Sequence, residues 1–60
     1  MRKVTKLQDI QDVVNMNGMF YTYYNGTKLV EMNVVTVLTM TVIEAIRFIN
    51  DGQLFYDMPL

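Results

Sequence analysis

The sequence contains no cysteine, no histidine and no serine. The chain therefore cannot form a disulfide or the usual zinc sites, and it lacks the residues that most often act as nucleophile or general base. Two carboxylate pairs remain, Asp9 with Asp12 and Asp51 with Asp57, and both are expected on surface or turn positions without an apolar pocket around them. We therefore predict that the protein is not an enzyme and has no metal and no cofactor.

Charge of either sign is also scarce. Five basic and six acidic residues leave a net charge of −1, whereas a nucleic-acid-binding surface needs an excess of positive charge. The basic residues Arg2, Lys3 and Lys6 are predicted to lie in a solvated N-terminal tail. The uncharged stretch from Met32 to Ile43 is too short to span a bilayer, and no secretory signal is readable. We expect a soluble, cytoplasmic protein that binds no nucleic acid and no membrane.

The chain is too small to bury a large core. Its 60 residues predict one domain over residues 1–60. Burial of apolar surface contributes on the order of 90 kcal/mol to folding, and ordering the chain costs about as much. Because disulfides and metal sites are excluded as further sources of stability, we expect two copies to associate into a homodimer.

Two Asn-Gly pairs predict the turns of two hairpins, because both central residues of such a turn need a positive φ. The pairs are Asn17-Gly18 and Asn25-Gly26, and the segments around them are apolar and aromatic. The predicted product is a three-stranded antiparallel meander with strands at Ile10–Met16, Met19–Tyr24 and Thr27–Leu38.

The first of these segments has a second interpretation as a helix. Leu7, Ile10, Val13 and Val14 are helically spaced, the residues from Thr5 resemble a capping box, and the first Asn-Gly pair would then end the helix. We favour the strand, because two-residue turns pair the three strands in a consistent register.

In that register, Tyr23 pairs with Lys28 and Met19 with Met32. One face of the sheet is then continuously apolar and available to a covering helix. The opposite face carries more large apolar side chains than a water-facing surface needs, and we expect a dimer partner or the N-terminal segment to cover it, or a different protein to bind it. The residues assigned to this interface are Phe20, Tyr24, Leu29 and Val35.

A Thr-x-x-Glu motif at Thr41 to Glu44 predicts the start of a helix over Val42–Asn50, which Asp51-Gly52 ends. A closing strand is predicted over Gln53–Met58. The stripe that we expect to pack on the sheet consists of Val42, Ala45, Ile46 and Ile49. The residues left outside that stripe are the predicted partner-binding site, namely Ile43, Glu44, Arg47 and Phe48. The predicted fold class is α+β, with three or four antiparallel strands and one helix.

The chain resembles the small homodimeric uracil-DNA glycosylase inhibitors of phi29-like Bacillus phages in the order and type of three features. These are Asn17-Gly18, the Tyr-rich segment ending at Gly26 and the Thr41 to Glu44 motif. Those proteins have a strand and a glycine turn, a Tyr-rich strand, a short helix and a final strand. The resemblance implies a phage protein that imitates DNA and blocks the DNA-binding cleft of a host uracil-DNA glycosylase in the host cytoplasm.

Matching the helix motifs assigns contact with the enzyme to Ile43, Glu44 and Arg47. The chain departs from the family in two respects: Ile43 and Arg47 replace aromatic residues, and the strand predicted over Thr27–Leu38 is additional. The alternative function is that of a structural or regulatory homo-oligomer without an enzyme target.

Overall fold

A computed structural model describes all residues from Met1 to Leu60 and shows an α+β fold with a four-stranded antiparallel sheet. Three helices cover one face of the sheet, where a single helix was predicted. The strand order is β1-β4-β2-β3, so only the second hairpin of the predicted meander forms. Along the chain, the elements are β1 (Arg2–Lys3), α1 (Leu7–Asn15), β2 (Met19–Tyr24), β3 (Lys28–Met32), α2 (Val34–Thr39), α3 (Val42–Asn50) and β4 (Phe55–Asp57).

The N-terminal segment forms α1, so the strand predicted over Ile10–Met16 is wrong and the helical alternative is correct. The helical spacing of its apolar residues places Val13 fully in the core. The helix ends in a Schellman motif, in which the N–H of Gly18 donates to the carbonyl of Val13 at 2.8 Å and the N–H of Asn17 donates to the carbonyl of Val14 at 3.1 Å. The first Asn-Gly pair therefore ends a helix and forms no hairpin.

The second Asn-Gly pair does lie in a hairpin turn, but the loop has three residues, Asn25–Thr27. Its first two residues have φ values of 52° and 73°. Tyr24 pairs with Lys28 across this loop, whereas the predicted partner of Lys28 was Tyr23. Because side chains alternate between the faces of a strand, this shift of one residue moves every β3 side chain to the other face relative to β2.

The third predicted strand, Thr27–Leu38, is wrong beyond Met32, because the chain turns into α2 at Val34. The side chain of Asn33 accepts a hydrogen bond from the N–H of Val35 at 2.8 Å and caps the helix. The residues of α2 are mostly β-branched and would favour a strand by themselves. Tertiary packing overrides that preference, because the helix places the side chain of Val37 in the core.

The prediction for the third helix is confirmed. It spans Val42–Asn50, begins with a complete Thr41–Glu44 capping box, and ends where Gly52 adopts a φ of 66°. The closing strand also forms, although β4 is shorter than predicted. Arg2 and Lys3 are exposed, as expected, but they pair with β4 as an edge strand and do not form a free tail.

The core lies between the sheet and the three helices. Its fully or nearly fully buried apolar residues come from every layer and are Val4, Val13, Phe20, Val37 and Leu54. Because side chains alternate along a strand, residues on either side of Phe20 in β2 point away from the helices. The other face of the sheet therefore has no covering element, and we call it the open sheet face.

Candidate protein-interaction surfaces

Two consecutive helices expose a set of large aliphatic side chains to solvent. Exposure reaches 61% for Val35, 62% for Val42 and 68% for Ile43, which are high values for β-branched hydrocarbon side chains in a folded domain. Scattered apolar residues are normal on a protein surface, but here they dominate two adjoining elements. The members of this aliphatic surface are Val34, Val35, Leu38, Val42, Ile43 and Ile46.

The solvent side of α2 also lacks the charged residues that surface helices usually carry. The helix consists only of valine, threonine and leucine, and no charged side chain occurs between Glu31 and Glu44. A solvated helix normally presents charged or polar residues on the face opposite its core stripe. The outer face of α2 is therefore suited to contact with another apolar surface.

A groove adjoins this surface, between the end of α1, the hairpin and α2. Its volume is about 400 Å³, and six of its ten lining residues are hydrophobic. Val34 and Leu38 line the groove and also belong to the aliphatic surface, so the two features are continuous. Met32, which pairs with Phe20 on the helix side of the sheet, lines its opposite side, and a methionine side chain adapts to irregular partners because it is unbranched and polarisable.

The structure corrects the predicted orientation of α3. Ala45 is buried, and Phe48 and Ile49 pack against the core, whereas Val42 and Ile46 are exposed. The helix is rotated about its axis relative to the prediction, because the large ring of Phe48 fills space beside the sheet. Phe48 is therefore half-buried against the core, whereas the predicted orientation placed it on the side of α3 that points away from the sheet.

Three of the four predicted partner-binding residues are brought together. Glu44, Arg47 and Phe48 line a shallow depression of about 170 Å³ together with Asp51 and Gln53. The fourth, Ile43, is not among its lining residues and belongs to the aliphatic surface.

The carboxylate of Glu44 is already engaged within the chain. Hydrogen bonds from the backbone N–H of Thr41, and secondarily from its hydroxyl, hold the pKa of Glu44 below its ordinary value. Thr5, just before α1, likewise donates its N–H and hydroxyl to Asp9 and lowers the pKa of that carboxyl, although α1 lacks the reciprocal bond of a capping box. The predicted capping residue at α1, Gln8, instead donates its amide N–H to Asp12 at 3.0 Å.

The residues predicted to form the dimer interface do not share a face. Phe20 is 1% exposed and lies at the centre of the core, so its assignment to an open face is wrong. Tyr24 is exposed at the end of β2 on the helix side, whereas Leu29 pairs with Tyr23 on the open sheet face. Val35 is exposed on α2. The slip in register and the unpredicted helix α2 separate these four positions.

The open sheet face is the second large uncovered surface. An uncovered apolar sheet face was predicted, but of the residues assigned to it only Leu29 lies here. Tyr21, Tyr23 and Phe55 form its aromatic centre, and the rings of Tyr23 and Phe55 meet edge to face with their centroids 5.4 Å apart. Met19 and Leu29 extend it along the neighbouring positions. Only the correct register could have revealed this face, because the predicted pairing put Leu29 on the side of Phe20.

No group of three or more histidine, cysteine or acidic side chains could hold a metal ion, and no helix is long and apolar enough to cross a membrane. Comparisons with protein-family models, with curated proteins and with solved structures give no match.

Proposed function

We propose that this chain is a non-enzymatic protein-binding module that uses the aliphatic surface of α2 and α3 to contact another protein. The observation that carries the proposal is the uncharged outer face of α2 beside the exposed Val42 and Ile43. Burying such side chains contributes about 25 cal/mol for each Å² removed from water. A partner that covers this surface therefore gains affinity without needing a deep pocket.

The resemblance to uracil-DNA glycosylase inhibitors names one specific partner. Ile43 and Glu44 lie at the exposed start of α3, which is consistent with contact to an enzyme surface. In this form of the proposal, the chain occupies the DNA-binding cleft of the enzyme stoichiometrically, in the cytoplasm of a bacterial host. Phe48 takes no direct part, because it packs against the core.

The first experiment measures uracil excision from a single-stranded oligonucleotide by purified bacterial uracil-DNA glycosylase. Adding the chain in equimolar amount should abolish excision, and Ile43→Asp should relieve the inhibition. Gln11→Asp is the matched control, since Gln11 is an exposed residue on α1 and the substitution introduces the same charge. Unchanged excision at a large excess of the chain would exclude this enzyme as the partner.

The general proposal has its own test, in which immobilised chains capture proteins from bacterial lysate. A partner should bind the wild type and Gln11→Asp but neither Ile43→Asp nor Val35→Lys. Identical captured proteins for all four chains would refute a role for the aliphatic surface. If the wild type captures nothing and light scattering shows a closed homo-oligomer that Val35→Lys dissociates, the alternative of a structural or regulatory homo-oligomer replaces the proposal.

A further inference from the structure

The open sheet face carries one cross-strand row whose ends have opposite charge. Lys3 pairs with Phe55, Phe55 pairs with Tyr21, and Tyr21 pairs with Glu31, so one row crosses all four strands. Its order is basic, aromatic, aromatic, acidic. We call these four residues the charged row.

Neither charged end of the row has a partner within the chain. The single salt bridge of the protein joins the N-terminal amino group to Asp57 at 3.1 Å, and so includes neither Lys3 nor Glu31. Both side chains are exposed, and each lies on an edge strand of the sheet. Their charges are thus available to a molecule that covers the open sheet face.

From this pattern we propose that the open sheet face binds the open sheet face of a second copy, through a two-fold axis parallel to the strands. Such an axis reverses the order of the strands and preserves position along them. β1 then faces β3 of the second copy, and β4 faces its β2. When the axis passes through the middle of the charged row, Lys3 of each copy lies against Glu31 of the other copy. Phe55 of each copy then lies against Tyr21 of the other.

The charges distinguish a second copy from other occupants. A strand of nucleic acid would stack on the aromatic rings only if the groove around them were basic, and this face has no excess of positive charge, because Glu31 and Asp57 match Lys3 and the N-terminal amino group. An unlike protein would need its own matching row, whereas the second copy supplies one by symmetry. Two sheets packed face to face at about 10 Å, with their strands nearly aligned, are a common arrangement.

The size of the face sets the strength that we expect. Four strands present a surface about 20 Å wide and about 15 Å long, so the two copies together cover roughly 600 Å², which is less than standard specific interfaces bury and fits only a weak, transient contact. The predicted dimer is therefore weak, and we expect monomer and dimer to be in equilibrium between micromolar and millimolar concentrations. It leaves the aliphatic surface on the other side of each copy free, so this inference does not depend on the proposed function.

The experiment is sedimentation velocity from micromolar to millimolar concentration on charge-reversal variants. Glu31→Lys and Lys3→Glu each replace two attractive contacts with two repulsive ones, and each should weaken the dimer about tenfold. The double variant with both substitutions should regain the wild-type dissociation constant, because the row then reads acidic to basic and still matches its symmetry mate. Asp12→Lys and Lys6→Glu, on the helix side, make the same charge changes and should have no effect.

Three outcomes would overturn the inference: a wild type that stays monomeric at millimolar concentration, single variants that dimerise normally, or a double variant that stays as weak as the singles. Dissociation by Val35→Lys, with the row variants unaffected, would assign the dimer to the aliphatic surface instead. Thermal melts of all variants control for folding, and those of the Lys3 and Glu31 variants should coincide with the melt of the wild type, because neither side chain forms an ion pair in the monomer.

Discussion

Thr41 and Glu44 satisfy each other's polar groups at the start of α3. The N–H of Thr41 and its hydroxyl donate to Glu44 Oε1 at 3.1 and 2.9 Å, and Thr41 Oγ1 accepts the N–H of Glu44 at 3.1 Å. Backbone N–H groups in the first turn of a helix have no intrahelical acceptor. This reciprocal cap therefore holds the first turn of α3, from which Val42 and Ile43 are displayed.

Replacing Thr41 with alanine should lower the free energy of unfolding by about 1 kcal/mol, the usual effect of losing a helix N-cap. Urea denaturation followed by circular dichroism measures the change. Thr41→Ser keeps the hydroxyl and should behave as the wild type. Thr39→Ala is a second control, because the Thr39 hydroxyl only bonds the carbonyl of Thr36 within α2. Equal destabilisation by Thr41→Ala and Thr39→Ala would contradict a capping role for Thr41.

The capping box at α3 could be predicted because all of its parts lie within four consecutive residues. The start of α2 carried a comparable local signal in Asn33, a favoured N-cap residue directly before an apolar run. The strand prediction did not use that signal, and the β-branched composition of the segment favours a strand. The outcome depended on whether Val37 could reach the core, and no residue near it in sequence determines that.

The register of the hairpin illustrates the same limit. The Asn25-Gly26 pair fits a turn with two positive φ values, and the structure has both. Whether the loop closes at Thr27 or Lys28 is decided by which β3 face meets the core. Pairing Phe20 with Met32 brings two apolar side chains to the helix side. A prediction from neighbouring residues has no information on that contact. It therefore assigned the side chains of β3 to the wrong faces of the sheet, and the predicted interface residues were wrong for the same reason.

Acidification should destabilise the protein through Asp9 and Glu44. Hydrogen bonds lower the pKa of both carboxyls in the folded state, so the unfolded chain takes up protons at a higher pH than the folded chain. Their contribution to stability is complete above the ordinary carboxyl pKa values of about 3.9 and 4.3, and it is lost as the pH falls through the lower folded values. The urea midpoint should accordingly fall as the pH is lowered from about 5 through the ordinary carboxyl pKa values and below.

The matched variant for this pH dependence is Asp9→Asn with Glu44→Gln, which keeps an acceptor oxygen at each cap but removes the titrating group. Its urea midpoint should vary less with pH over the same range. A wild type and double variant with parallel pH profiles would show that other carboxyls control the acid response.

Gly18 and Gly26 should respond to substitution for different reasons. A Cβ atom at Gly18 would lie 2.7 Å from Cγ1 of Val13 and 2.9 Å from the carbonyl oxygen of Asp57, so Gly18→Ala should cost roughly 1–3 kcal/mol through steric overlap. Gly26 has open space around it but a φ of 73°. Gly26→Ala should cost about 1 kcal/mol through backbone strain alone.

Asparagine separates the two causes, because it tolerates a left-handed backbone better than alanine but is larger. Gly26→Asn should be more stable than Gly26→Ala, whereas Gly18→Asn should be less stable than Gly18→Ala. Urea denaturation of the four variants gives both comparisons. The same order of asparagine and alanine at both positions would contradict this assignment of causes.

Val35 and Val37 provide a matched pair on α2. The strand prediction put both on one face of the sheet, but residues two apart on a helix point in nearly opposite directions. Val37 is 3% exposed and Val35 is 61% exposed.

Val37→Ala should therefore lower the free energy of unfolding by about 2 kcal/mol through lost burial and the cavity left behind, and Val35→Ala should change it by less than about 0.5 kcal/mol. Urea denaturation measures both, and because each substitution removes the same two methyl groups, the difference reports burial alone. Equal effects at the two positions would contradict the difference in burial between Val35 and Val37.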